Sequence, residues 1–164
     1  MKVIFLDIDG VLNSDAFFAT NHDLVKQFYK DNEYNFDNVD FLVKRQMMDI
    51  DFSKLVVLKN IINETNSKVV IISSWKKLKI FSYVVNELIS LGIPIIGYTI
   101  DNGGDRGNDI KRYLMENKVD QYVILDDDIF DDYDQEIMNR LVKTSFYNGG
   151  LEEKHANELI RRLK

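Results

Sequence analysis

The chain has 164 residues, 45% of them hydrophobic, a net charge of −6 and no cysteine. That length holds one domain with a real core, and the composition excludes disulfides, thiolate metal sites and a cysteine nucleophile. The acidic balance makes the surface a poor platform for extended, sequence-independent contact with nucleic acid, although it leaves room for a basic pocket that grips one phosphate.

No apolar run is long enough to span a bilayer. The N-terminus enters a charged strand motif directly, unlike a secretory signal, so the expectation is a cytoplasmic protein. That motif is Lys2-Val3-Ile4-Phe5-Leu6-Asp7-Ile8-Asp9-Gly10-Val11-Leu12. The apolar stretch from Val3 to Leu6 predicts a strand buried on both faces, with Asp7 and Asp9 at its carboxyl end. Residues two apart on a strand point the same way, so Asp7 and Asp9 face one side while Ile8 turns into the core.

Residues 14–48 are rich in aromatics, Asn and Asp and are weakly periodic. They read as a small cap-type insertion within a single domain spanning 1–164, with one helix near Asp23 to Lys30. A helix is expected from Phe52 to Asn66, with Leu55, Leu58, Ile61 and Ile62 on one face. Lys68 to Ser73 predicts the second strand. Leu78, Phe81, Val84, Val85, Leu88 and Ile89 mark the next helix, ended by Gly92. Ile93 to Ile96 is expected as the third strand, followed by a glycine-rich loop from Tyr98 to Gly107. A helix then carries Ile110, Tyr113 and Leu114. Gln121 to Leu125 is a fourth strand ending in Asp126-Asp127-Asp128, Leu141 to Thr144 a fifth, and Leu151 to Leu163 a closing helix.

This alternation predicts an α/β fold: a Rossmann-like, doubly wound, mainly parallel sheet of about five strands with helices on both faces. Three of the strands end in polar residues: Asp7 and Asp9, Ser73-Ser74, and Asp126-Asp127-Asp128. If those strands are neighbours, their ends form one crevice. Carboxylates from two strands suit a hard cation such as Mg²⁺, since only two histidines and no cysteine compete as ligands. A serine hydroxyl at a strand-to-helix junction suits phosphate oxygens. Arg106, Lys111 and Lys76, all near helix starts, are the candidate balancing cations. Trp75 reads as a packing residue, and Lys76, Lys77 and Lys79 as a solvated helix face. His22 and His155 carry no functional signal.

These motifs resemble the haloacid dehalogenase-like (HAD) hydrolases. Phe5-Leu6-Asp7-Ile8-Asp9-Gly10 is similar to their first motif, Val69-Val70-Ile71-Ile72-Ser73-Ser74 to the second, and Val123-Ile124-Leu125-Asp126-Asp127 to the paired-Asp form of the fourth. The Asp-Gly-Val-Leu-Asn start, Ser73-Ser74-Trp75, Arg106-Gly107-Asn108-Asp109-Ile110 and Gly150-Leu151 together resemble the HAD domain associated with Swiss Army Knife RNA repair proteins.

The resemblance implies a Mg²⁺-dependent phosphatase. Asp7 would be the nucleophile that forms an aspartyl-phosphate, and Asp9 the general acid and base. Ser73, with Ser74 beside it, would bind the phosphate. Arg106 would supply the third-motif cation, with Lys111 as the fallback. The metal would be held by Asp7, the Asp9 backbone carbonyl, Asp126 and Asp127. Substrates would be phosphorylated small molecules such as nucleotides, or nucleic-acid ends, selected by the insertion. Two other classes compete: a phosphoacceptor switch and a non-catalytic phosphate-binding module on the same fold. The Asp-x-Asp-Gly at the first strand and the acidic pair at a late one speak against the switch.

Overall fold

A computed structural model of the protein describes residues 1–20, 26–27, 30–31, 38–101 and 103–164. The helix expected near Asp23 to Lys30 falls mainly outside them. Strands β1 (Lys2–Leu6), β2 (Lys68–Ile71), β3 (Ile95–Tyr98), β4 (Gln121–Asp126) and β5 (Leu141–Lys143) form a 5-stranded sheet in the order β3-β2-β1-β4-β5. Every neighbouring pair is parallel. Leu6 at the end of β1 stands level with Ile71 on one side and Leu125 on the other. The three polar strand ends are therefore adjacent, and they form one edge of the sheet.

Alternation along β1 and β4 divides the core. Ile4, Leu6, Val123 and Leu125 face one layer, built from α2 (Phe41–Met47), α3 (Phe52–Thr65), α4 (Phe81–Ser90) and α7 (Glu153–Leu163). Val3, Phe5 and Ile124 face the other, built from α5 (Arg106–Glu116) and α6 (Gln135–Arg140). Such alternation is what a sheet covered on both sides requires.

Local chemistry sets the helix ends. Asp51 caps α3 by accepting from Ser53 N at 2.9 Å, and Asn66 closes it in the left-handed region at φ 54°. Leu55, Leu58 and Ile61 then fall on its buried face.

The cap-type insertion follows β1, beginning with a one-turn helix, α1 (Asp15–Phe18), capped by Ser14. Its far end is anchored in the main core: Val43 and Met47 of α2 are buried with Leu6, Ile8 and Leu12. The third strand starts two residues later than expected. Ile93 and Pro94 lead into it, Pro94 contributing only its carbonyl to Val69 N, and the pairing continues through Gly97 to Tyr98. No helix among the described residues is long and apolar enough to cross a membrane.

Candidate active site

The first strand is stitched to both neighbours at its carboxyl end. Asp7 N donates to Leu125 O at 2.9 Å, and Ile72 N to Leu6 O at 2.9 Å. Continuing the alternation of Val3 and Phe5, the Asp7 side chain falls on the α5 side of the sheet, as does Asp126 after Ile124. Ile8 is fully buried in the opposite core.

Gly10 makes the turn that follows. It sits at φ 69°, and a Cβ there would lie 2.0 Å from Asp127 Oδ2, so only glycine lets the Asp127 carboxylate approach β1. Thr144 Oγ1 donates to Gly10 O at 2.7 Å and fixes the turn from β5. As a result Asp7, Asp126 and Asp127 offer carboxylate oxygens that all lie within 4.8 Å of one another.

Arg106 is the counter-charge. Its Nη1 lies 2.7 Å from Asp126 Oδ2 and 3.1 Å from Asp7 Oδ2. The guanidinium stacks on Phe130, with Cζ 4.2 Å from the ring centroid. Gly107 permits this seat, because a Cβ there would meet Asp132 O at 2.7 Å. Tyr133 Oη donates to Asp126 Oδ2 at 3.1 Å, and Asp128 N to Asp126 Oδ1 at 3.0 Å.

Crowding of like charge appears in the protonation equilibria. Burial first, and the Asp126 carboxylate second, push the Asp7 carboxyl up to about 6 against the pull of Arg106. Burial also raises Asp126, opposed by Arg106, and it raises Asp127, assisted by Asp7 and Asp128. Burial would lower Arg106, but the charges of Asp7 and Asp126 outweigh it, and the net shift is upward. Arg106 reaches two of the three clustered carboxylates, Asp7 and Asp126, all donors are hard oxygens, and a divalent cation would relieve the remaining repulsion. The residues present therefore fit Mg²⁺ or a similar ion.

The remaining sequence candidates are distributed as follows. Asp9 is exposed, and its carboxylate lies outside the cluster: Oδ1 accepts from Asn13 Nδ2 at 2.9 Å and Oδ2 from Trp75 Nε1 at 2.9 Å. Ser73 is fully buried, and its Oγ accepts from Trp75 N at 3.4 Å, capping the short 3-10 turn Ser74–Lys77. Ser74 lines a cleft beside Arg106. Lys111, one turn further along α5, is paired with Asp134 at 2.5 Å rather than with the carboxylate cluster. Between the two candidate cations, the geometry brings Arg106 to the carboxylates and leaves Lys111 outside.

Several site residues are not evident in the sequence. Trp75 packs in the core, as expected, but its indole N–H also holds Asp9. Asn13 binds Asp9 while its Oδ1 accepts from Gly10 N at 2.9 Å; the only signal was its place at the end of the Asp-Gly-Val-Leu-Asn run. Tyr133 and Phe130 lie in an acid-rich loop that gives no hint of their contacts. Lys76, read as part of a solvated face, has a side chain only 8% exposed.

A parallel sheet with acids clustered at the adjacent ends of β1 and β4, two of them against one arginine, is the architecture of a HAD-like hydrolase domain with a candidate carboxylate-cluster site. The chain belongs to the family described as the HAD domain in Swiss Army Knife RNA repair proteins, whose model matches residues 3–156. No curated protein and no solved structure matches the chain.

Proposed function

We propose that this HAD-like hydrolase is a Mg²⁺-dependent phosphatase that cleaves phosphomonoesters through an aspartyl-phosphate, on nucleotides or on nucleic-acid ends. The observation that carries this reading is the clustering of Asp7, Asp126 and Asp127 at the carboxyl ends of β1 and β4, with Arg106 against Asp7 and Asp126.

In this reading an Asp7 carboxylate oxygen attacks phosphorus, and the ester oxygen leaves with its bonding electrons. Asp9, held at the rim by Trp75 and Asn13, gives that oxygen a proton. Asp9 then takes a proton from the water that cleaves the acyl phosphate and releases inorganic phosphate. Arg106 binds the transferring phosphoryl oxygens, with the Ser73 hydroxyl as a further partner. Asp7, Asp126, Asp127 and the Asp9 carbonyl would hold Mg²⁺, which when bound neutralises charge on the phosphoryl group.

The family's RNA-repair description supports nucleic-acid ends as substrates. The net charge of −6 supports recognition of an end or a single nucleotide rather than of a long tract. Residues 14–48 serve as a short cap that sets substrate choice without supplying chemistry. Phe41, 72% exposed on α2, is available to meet a substrate there. The cysteine-free composition suits a reducing, cytoplasmic setting.

The test is turnover of nucleotides, sugar phosphates, and 3′- and 5′-phosphorylated oligonucleotides, with Mg²⁺ and with EDTA. Release of phosphate that requires Mg²⁺ is expected. Activity unchanged by EDTA, or none on any phosphomonoester, would contradict the proposal.

A further inference from the structure

Beside the carboxylate cluster lies a cleft of about 140 Å³, whose charged lining comprises three cations, Lys76, Lys77 and Arg106, and two acids, Asp101 and Asp109, with Ser74 beside them. One water needs only about 10–15 Å³ by such a measure, so the cleft admits a group of several atoms. Arg106 forms a shared wall: it lines the cleft and its Nη1 is 3.1 Å from Asp7.

Lys76 sits in this wall in an unusual state. Its side chain is 8% exposed, yet among the described residues its Nζ makes one hydrogen bond, to Thr99 Oγ1 at 2.9 Å. Asp109 Oδ2 is 3.8 Å away, an ion pair beyond hydrogen-bond distance. An ammonium has three donors, so a largely enclosed cation keeps donor capacity. Lys77 differs from it, being exposed and paired with Asp101 at 2.5 Å. Withdrawing Lys76 from water is costly unless a partner restores its hydrogen bonds, and an anion in the cleft would do so.

We propose that this cleft is a second anion subsite, in which Lys76 binds a substrate phosphate other than the one transferred. The inference rests on the phosphatase reading and narrows its substrate class. Favoured substrates carry two phosphate groups: a nucleoside bisphosphate, or a phosphorylated nucleic-acid end with its adjoining phosphodiester. Arg106 serves the transferring group, and Lys76 fixes the leaving group and hence its orientation.

The experiment uses the whole chain with Mg²⁺ and compares kcat/KM for a nucleoside monophosphate, a nucleoside 3′,5′-bisphosphate and a 3′-phosphorylated dinucleotide. The wild type should prefer one or both two-phosphate substrates, and which one it prefers identifies the source of the second anion. Lys76→Met should reduce that preference on the order of 10- to 100-fold, the effect of losing one charge-assisted contact. Equal loss on all three substrates, or no preference in the wild type, would overturn the proposal.

A second measurement needs neither turnover nor a variant: the Lys76 Nζ and Cε resonances of wild-type protein, titrated with the bisphosphate and with the monophosphate. A shift with the bisphosphate alone supports the subsite, and identical responses overturn it. If no substrate is hydrolysed, the phosphatase reading fails on its own and this titration decides the subsite.

Discussion

The two faces of the sheet are built from alternate residues of the same strands, yet they differ in kind. The face under α3, α4 and α7 is a continuous apolar layer, in which Leu58, Ile61, Val84 and Leu159 are at or near zero exposure. The face under α5 and α6 is smaller and aromatic, with Phe5 in edge-on contact with Tyr113 and Tyr122. At its upper edge this second face gives way to Asp7, Arg106, Asp126 and Tyr133. One face holds the strands in register, and the other takes the charge that emerges where the apolar run stops. The contrast teaches that strand parity separates the large apolar core from the charged cluster to which catalysis is assigned in the proposed function: Leu6 points into the large core, and Asp7 points at the arginine.

The sharpest test of that division is a pair of substitutions. Asp7→Asn should reduce turnover by on the order of a thousandfold or more, about 4 kcal/mol of barrier, measured under saturating substrate with Mg²⁺. It should leave the fold intact. Leu58→Ala, on the opposite face, should destabilise by roughly 2–5 kcal/mol through lost burial and a cavity, measured by urea unfolding. Its folded fraction should turn over normally. The reverse pattern would dissolve the contrast between the faces.

Next in size is a pH effect. Asp7 titrates near 6 in the folded protein and at 3.8 when unperturbed. Between those values the native state holds a proton that the unfolded chain has released. Metal-free stability therefore falls as pH rises from about 4 to about 6, and the contribution is absent in Asp7→Asn. Relative to wild type, Asp7→Asn should gain roughly 2–3 kcal/mol at most across that window, read from unfolding midpoints in EDTA. Added Mg²⁺ at neutral pH should erase the difference. A variant whose relative stability is flat with pH would place the charge burden elsewhere.

The smallest effect is Tyr133→Phe. Losing the hydroxyl that donates to Asp126 Oδ2 at 3.1 Å should cost about 1 kcal/mol, seen as weaker Mg²⁺ binding by calorimetry. Unaltered binding would make Tyr133 a packing residue only.

Much of this architecture is legible in the sequence because it rests on periodicity and strand ends. The buried run Val3 to Leu6, the acids that terminate β1 and β4, and the α3 stripe of Leu55, Leu58 and Ile61 are all patterns that a sheet covered on both faces imposes. Strand order is not legible from spacing, and the adjacency of β2, β1 and β4 turns three polar ends into one crevice. The start of β3 is misread because an apolar run beside Pro94 looks like strand, while Gly97 looks like loop although it pairs with Val70. Lys76 is misjudged because a short 3-10 turn has no periodicity from which to infer the buried side, and Trp75, correctly read as a packing residue, gives no hint of its hydrogen bond to Asp9. The choice between Arg106 and Lys111 depends on Gly107 letting the start of α5 press against Asp132, a tertiary contact.

The central claim is that Asp7, set by strand parity against Arg106, is the group that takes the phosphoryl. Protein mixed with substrate and Mg²⁺, then denatured within a turnover and digested, should show one phosphoryl group on the peptide containing Asp7. The adduct should be labile to hydroxylamine, as an acyl phosphate is, and absent from Asp7→Asn. Sustained turnover with a phosphoryl group on another residue, or undiminished turnover by Asp7→Asn, would contradict the account.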